Sequence, residues 1–143
     1  MKLYFDTAYI AKCYLNETDS GAVRSLAYGS SELCSSCWCV AEMACVFQRQ
    51  IREFKVPRSQ VIRAREFFLN DVQDGVWTLL PISQEFLFRA SSMIYALPVS
   101  AYLRAGDAIH LAAAREAGFT EIWSNDRRVL HAAPAFGLTG KSL

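Results

Sequence analysis

A chain of 143 residues with 52% hydrophobic residues is long enough for one domain with a buried core, and too apolar to remain disordered. The formal net charge of +1 excludes the strong basic excess of proteins that bind nucleic acid mainly by charge. No apolar run reaches the roughly 18 residues of a membrane span and no signal-peptide pattern is present, so we expect a cytoplasmic protein.

Strand-like and helix-like segments alternate along the whole chain. In chain order, the patterns predict a strand at 2–5, helices at 7–15 and 22–28, a strand at 32–35, helices at 36–54 and 58–72, a strand at 76–80, helices at 84–96 and 105–118, a strand at 121–124, a short helix near 129–132 and an edge strand at 138–139. Such alternation is typical of a parallel sheet with helices on both faces. We therefore predict an α/β fold, one domain over residues 1–143, four or five strands and about seven helices.

Four acidic residues differ from the other ten, which fall in turns, caps or charged helix faces. Asp6 directly follows a predicted strand and Asp126 follows another after one intervening residue, whereas Glu42 and Asp107 stand near the starts of apolar helices. In an open parallel sheet, strand ends and the following helix starts meet at one edge, where ligands bind. We therefore expect the side chains of these four residues to share one crevice.

Converging carboxylates repel one another, so such a cluster requires a compensating cation. Hard divalent ions such as Mg²⁺ bind carboxylate oxygens and, when bound, promote hydrolysis of phosphodiesters. Each acid also has a competing interpretation. Asp6 and Asp126 are possible helix caps, and Asp107 is a possible partner of Arg104 or of the helix dipole. Glu42 has no residue of opposite charge near it in sequence.

The five cysteines predict neither a disulfide framework nor a zinc site. Their number is odd, and Cys34 and Cys37 form a C-x-x-C without a second ligand pair. We interpret all five as buried, reduced thiols.

The chain resembles the PIN domains, and specifically the VapC-type toxins of prokaryotic toxin–antitoxin pairs. The resemblance spans the chain and rests on LYFDT at 3–7, VAEM at 40–43, LRAGDAIHLAAA at 103–114 and WSNDRRVL at 123–130. It implies a three-layer α/β/α fold and Mg²⁺- or Mn²⁺-dependent cleavage of RNA.

The resemblance also assigns roles to residues and implies partners. Asp6, Glu42 and Asp107 match the core metal ligands, and Asp126 matches a more variable fourth position. Ser124 matches a small hydroxyl residue near the site. The resemblance further implies a homodimer, and an antitoxin that docks in an apolar groove between early helices.

Other functions remain open at this point. The same fold serves RNA-processing nucleases without a toxin role and non-catalytic binding modules. A phosphoryl-transfer domain of haloacid-dehalogenase type would need a second Asp at position 8, where the chain has Ala. We interpret His110 as a packed or hydrogen-bonded structural residue, and Phe86, Phe88 and Tyr95 as core or dimer contacts.

Overall fold

The computed structural model describes all 143 residues, in which five strands alternate with seven α-helices. The strands are β1 (Lys2–Tyr4), β2 (Glu32–Ser36), β3 (Trp77–Leu80), β4 (Glu121–Trp123) and β5 (Thr139–Lys141). The helices are α1 (Thr7–Tyr14), α2 (Ser20–Tyr28), α3 (Cys39–Arg52), α4 (Arg58–Gln73), α5 (Gln84–Tyr95), α6 (Ala105–Glu116) and α7 (Arg127–Ala132), and a 3₁₀ helix spans Ala133–Phe136. None of these helices is both long enough and apolar enough to cross a membrane.

The strands form two parallel ladders that lie side by side. β2 pairs with β1 and with β3, and β4 pairs with β5. A parallel bridge between Phe5 and Trp123 joins the two ladders, and the Asp6 amide donates to the Trp123 carbonyl oxygen at 3.1 Å. The strand order is therefore β3-β2-β1-β4-β5 with all strands parallel, which confirms the predicted α/β class and strand number.

Side chains that alternate along β1 divide between two cores, one on each face of the sheet. Leu3 and Phe5 pack with residues of α1 to α4, whereas Tyr4 packs with residues of α5, α6 and α7. All three side chains are fully or almost fully buried. Burial of an aromatic side chain of this size contributes about 2 kcal/mol. Helices on both faces give the expected three layers.

Helix α3 begins three residues later than the sequence pattern predicts. Ser36 still belongs to β2, where it pairs with Leu80 of β3, and its hydroxyl accepts a hydrogen bond from the Trp38 amide at 3.1 Å. The chain therefore turns before entering the helix at Cys39. Because of this later start, Glu42 lies in the first turn of α3, at the carboxyl edge of the sheet.

Candidate active site

The topology brings the four predicted acids to the carboxyl edge of the sheet. Asp6 follows β1 and caps α1, and Asp126 follows β4 and caps α7. Glu42 and Asp107 lie in the first turns of α3 and α6. The capping interpretations of Asp6 and Asp126 were therefore correct as local descriptions, and they do not conflict with a shared site.

Asp6 is a buried carboxylate with few compensating partners. Its side chain is 5% exposed, and one oxygen accepts a hydrogen bond from the Tyr9 amide at 3.0 Å. Burial raises the pKa of Asp6 to about 6, against opposing effects of His110, of the Ser124 hydroxyl and of the Tyr9 amide. The charge of Asp107 raises this pKa further, as expected of a second carboxylate at the same edge of the sheet.

Glu42 is held by a buried hydrogen-bonded cluster. Its Oε1 accepts from the Thr7 hydroxyl at 2.9 Å and lies 2.7 Å from Nε2 of His110. An ionised carboxylate only accepts, so Nε2 carries the proton in this contact. Burial alone would raise the pKa of Glu42, but His110, Thr7 and the charge of Arg104 outweigh burial and lower it. Glu42 is therefore ionised and oriented by its neighbours.

His110 connects this cluster to the core of the sheet. Its side chain is 2% exposed, and its Nδ1 lies 3.1 Å from the hydroxyl oxygen of Tyr4 in β1. The same Nε2 that contacts Glu42 lies 3.1 Å from the Thr7 hydroxyl oxygen. The interpretation of His110 as a buried, hydrogen-bonded residue is confirmed, and the structure adds that its partner is one of the four acids.

Asp107 and Asp126 are joined by a single guanidinium group. Nε of Arg104 donates to Oδ2 of Asp107 at 3.2 Å, and a terminal nitrogen of Arg104 donates to Oδ2 of Asp126 at 3.4 Å. These two acids are 14% and 28% exposed, whereas the Arg104 side chain is 60% exposed. The expected pairing of Asp107 with Arg104 is present, and the same arginine also reaches Asp126.

Ser124, at the end of β4, links Asp126 to Asp6. Its hydroxyl oxygen accepts from the Asp126 amide at 2.9 Å, and the same hydroxyl lowers the pKa of Asp6. One oxygen of Asp126 also accepts from the Arg128 amide at 2.8 Å. The small hydroxyl residue singled out in the sequence therefore lies between two of the acids.

Gly106 permits the close approach of α6 to α3. A Cβ atom at this position would lie 3.0 Å from Oε2 of Glu42 and 3.3 Å from Nε1 of Trp38. No role was assigned to Gly106 from the sequence, although glycine is the residue that permits close approach of a backbone to a neighbouring group. The absence of a side chain here leaves space for the Glu42 carboxylate.

The donor chemistry of this edge fits a hard divalent cation. Oxygen ligands from several carboxylates are what Mg²⁺ and Mn²⁺ prefer, and the raised pKa of Asp6 reflects a buried negative charge that a cation would compensate. No three His, Cys, Asp or Glu side chains already stand in the arrangement that a single metal ion requires. Three of the acids are held by other side chains: Arg104 pairs with Asp107 and Asp126, and His110 contacts Glu42.

The family model of the PIN domain matches residues 3–135. The chain belongs to the PIN domain family. This match confirms the resemblance drawn from the four sequence segments, and it spans all four acids of the site. No curated protein matches the chain significantly.

Solved structures share the fold of this PIN domain at low sequence identity. Mycobacterium tuberculosis VapC20, a sarcin–ricin loop cleaving toxin, matches with a TM-score of 0.68 and 14% identity over 91% of this chain and 94% of that chain. VapBC2 from Rickettsia felis, bound to a DNA fragment from its promoter, matches with a TM-score of 0.69 and 12% identity over 100% of this chain and 99% of that chain. FitAB bound to an IR36 DNA fragment matches with a TM-score of 0.71 and 16% identity over 99% of this chain and 94% of that chain. At these identities the likeness establishes the fold.

The cysteines of this PIN domain stand apart from the site chemistry. All five are free thiols. Cys34 and Cys39 are buried, and burial raises the pKa of each thiol, to about 11 and about 12. Cys13 and Cys37 are half-buried, and the expectation of burial was wrong for Cys45, which is exposed on α3.

A cavity of about 290 Å³ lies at the opposite, amino-terminal edge of the sheet in this PIN domain. Its polar lining includes Tyr14, which donates to Asp71 and accepts from Nε1 of Trp77 at 2.7 Å. These groups satisfy one another, and the cavity touches none of the four acids. Its position on the far edge gives it no part in the chemistry of the carboxylate site.

Proposed function

We propose that residues 1–143 form a single PIN domain that hydrolyses RNA phosphodiester bonds with Mg²⁺ or Mn²⁺, as the toxin of a toxin–antitoxin pair. The observation that carries the proposal is the position of Asp6, Glu42, Asp107 and Asp126 at one edge of a PIN fold. The ion pairs of Arg104 with Asp107 and Asp126, and the effect of the Asp107 charge on the pKa of Asp6, support one common site.

We assign Asp6, Glu42 and Asp107 to metal binding, and Asp126 to completing the site or positioning water. A divalent ion at such a site supplies positive charge to the phosphate and lowers the pKa of water. The chain itself contributes orientation: Thr7 and His110 hold Glu42 in its ionised form. The Asp126 side chain is more exposed than that of Asp107, which suits a residue that positions a water molecule.

Support for the toxin role comes from the proteins that share this fold. VapC20 is described as a toxin that cleaves the sarcin–ricin loop, and VapBC2 and FitAB were solved bound to DNA. By analogy we propose an RNA substrate and a cognate antitoxin for this chain. The antitoxin segment is expected to dock between early helices, and exposed apolar residues there are Val40 on α3 and Ile62 and Phe67 on α4.

The proposed homodimer rests on a second apolar surface. On α5, Phe86 is buried in the core, whereas Phe88 and Tyr95 are 68% and 90% exposed. Large exposed aromatic side chains are characteristic of protein interfaces. The sequence-based alternative of core or dimer contact is therefore resolved for Phe86 as core, and we propose Phe88 and Tyr95 as dimer contacts.

The test is RNA cleavage by the purified chain, free of any antitoxin, in Mg²⁺ or in EDTA. Pools of mRNA, rRNA and tRNA are offered to the wild type and to Asp6→Asn and Asp107→Asn. We expect cleavage only with metal, and a loss of at least about a hundredfold in both variants because each removes a charged ligand. Asp74→Asn, at an exposed acid that ends α4, is the matched control and is expected to cleave normally.

Three results would contradict the proposal. They are full activity of the folded Asp6→Asn and Asp107→Asn variants, cleavage that is insensitive to EDTA, and no cleavage of any pool by the folded wild type. Growth arrest on expression, relieved by Asp107→Asn, separates a toxin from an RNA-processing nuclease.

A further inference from the structure

Arg104 forms an internal ion-pair bridge at the proposed metal site. Its guanidinium contacts Oδ2 of Asp107 and Oδ2 of Asp126, which are two of the oxygens that the proposed function assigns to metal and water. Its charge also lowers the pKa of Glu42, so it acts on three of the four acids. The carboxylates in turn raise the pKa of Arg104, so the guanidinium remains charged.

We propose that Arg104 is a resident counter-ion of this site, which a divalent cation must displace from Asp107 and Asp126 in order to bind. This inference rests on the proposed metal-dependent function. The guanidinium neutralises repulsion between the acids of the metal-free protein and competes with the metal for the same oxygens. Arg104 thereby sets the metal concentration at which the site fills.

The surroundings of Arg104 keep the free-energy cost of displacing its guanidinium low. Arg104 directly precedes α6 in an extended backbone conformation, and its side chain is 60% exposed. Exposed ion pairs contribute little stability, and a released guanidinium is solvated by water. The contact between Glu42 and His110 differs, because the imidazole is almost completely buried.

Arg128 provides a matched control for general electrostatics. It lies near the same acids, where its backbone amide donates to Asp126, but its guanidinium stacks on the Tyr102 ring at 4.7 Å and pairs with no carboxylate. Removing either arginine lowers the local positive charge by one unit. Only removal of Arg104 takes away a group that is bonded to the proposed ligands.

The first measurement is Mn²⁺ affinity by calorimetry and by electron paramagnetic resonance for wild type, Arg104→Gln and Arg128→Gln. We expect Arg104→Gln to bind Mn²⁺ about three- to tenfold more tightly than wild type, as two weak ion pairs are lost. Arg128→Gln is expected to change the affinity by less than about twofold, as its charge is solvated and screened.

The second measurement follows the guanidinium itself. In wild type, the Nε–H resonance of Arg104 is expected to shift to that of a solvated arginine as Mg²⁺ saturates the site. Equal Mn²⁺ affinity in wild type and both variants, or an Arg104 resonance that Mg²⁺ leaves unchanged, overturns the inference while the metal-dependent function stands. Absence of metal binding in all three proteins overturns both.

Discussion

Glu42 and Asp107 each occupy the first turn of a helix at the same sheet edge, yet their partners differ in kind. Glu42 is held by Thr7 and by a histidine that is 2% exposed and itself contacts Tyr4 of β1. Asp107 is held by an arginine that is 60% exposed. The half of the site that contains Glu42 is therefore held by core residues. The half that contains Asp107 is held by a surface side chain, Arg104.

Because of this difference, the Glu42 carboxylate is preorganised, whereas the Asp107 carboxylate can exchange its partner. A carboxylate bonded to buried groups keeps one orientation, because its partners have neither space nor water to move into. A carboxylate paired with an exposed arginine loses that partner at little cost. The structure therefore predicts that removing a buried partner of Glu42 alters stability and activity together, and that replacing Arg104 alters chiefly the affinity of the proposed metal site.

The largest effect is expected from His110→Ala in the buried half. The substitution leaves a cavity and removes a partner from both Tyr4 and Glu42, so we expect a loss of about 3 kcal/mol of unfolding free energy. RNA cleavage should fall along with it, because Glu42 loses its orientation. Chemical denaturation of His110→Ala and of His131→Ala, which alters an exposed histidine of α7, measures the difference. Equal stability of the two variants would show that the buried cluster is not the fixed half.

The next effect is a pH dependence of stability that arises from Asp6. Its pKa is raised from 3.8 to about 6 by burial, so between these values the folded chain binds more protons here than the unfolded chain. Stability from this group is therefore greatest below pH 3.8, falls as pH rises to about 6, and is constant above that. At 1.36 kcal/mol per pKa unit the change is about 3 kcal/mol at most.

Asp6→Asn isolates this contribution. Asparagine retains the cap on α1 and carries no charge, so in EDTA the variant should become more stable than wild type as pH rises from 4 to 7. Glu42 opposes the trend in both proteins, because its lowered pKa stabilises the fold as pH rises. Thermal melts of both proteins across this range test the prediction, and parallel curves would contradict it.

The smallest change in stability, with a distinct loss of activity, is expected for Gly106→Ala. The added methyl would crowd Oε2 of Glu42 at 3.0 Å and displace the carboxylate. Alanine is also the better helix former by about 1 kcal/mol, which offsets the crowding in the free energy of unfolding. We expect near-unchanged stability and about a tenfold loss of cleavage.

Gly21→Ala in α2 is the control for this substitution, because a Cβ there meets no atom within 4 Å. It should stabilise the chain and leave cleavage unchanged. Normal cleavage by Gly106→Ala would show that the approach of α6 to Glu42 is not tight enough to matter.

Much of this architecture follows from local patterns in the sequence. Apolar runs and helical periodicity predicted all five strands and seven helices. For most elements, the observed boundaries differ from the predicted ones by a few residues. The convergence of the acids was predictable because parallel strands end at one edge. The sequence therefore located Asp6, Glu42, Asp107 and Asp126 and indicated oxygen-ligand chemistry.

How those acids are held depends on packing between elements that are distant in sequence. The contact of Glu42 with His110 joins residues 68 positions apart, and Arg104 reaches Asp126 across 22 positions. Such contacts depend on how α3 packs against α6 and how each helix is rotated about its axis, which local periodicity does not specify. Local sequence patterns are sufficient to specify the fold class and the acidic edge. The division of that edge into a half held by buried partners and an arginine-bridged half arises from packing between distant helices.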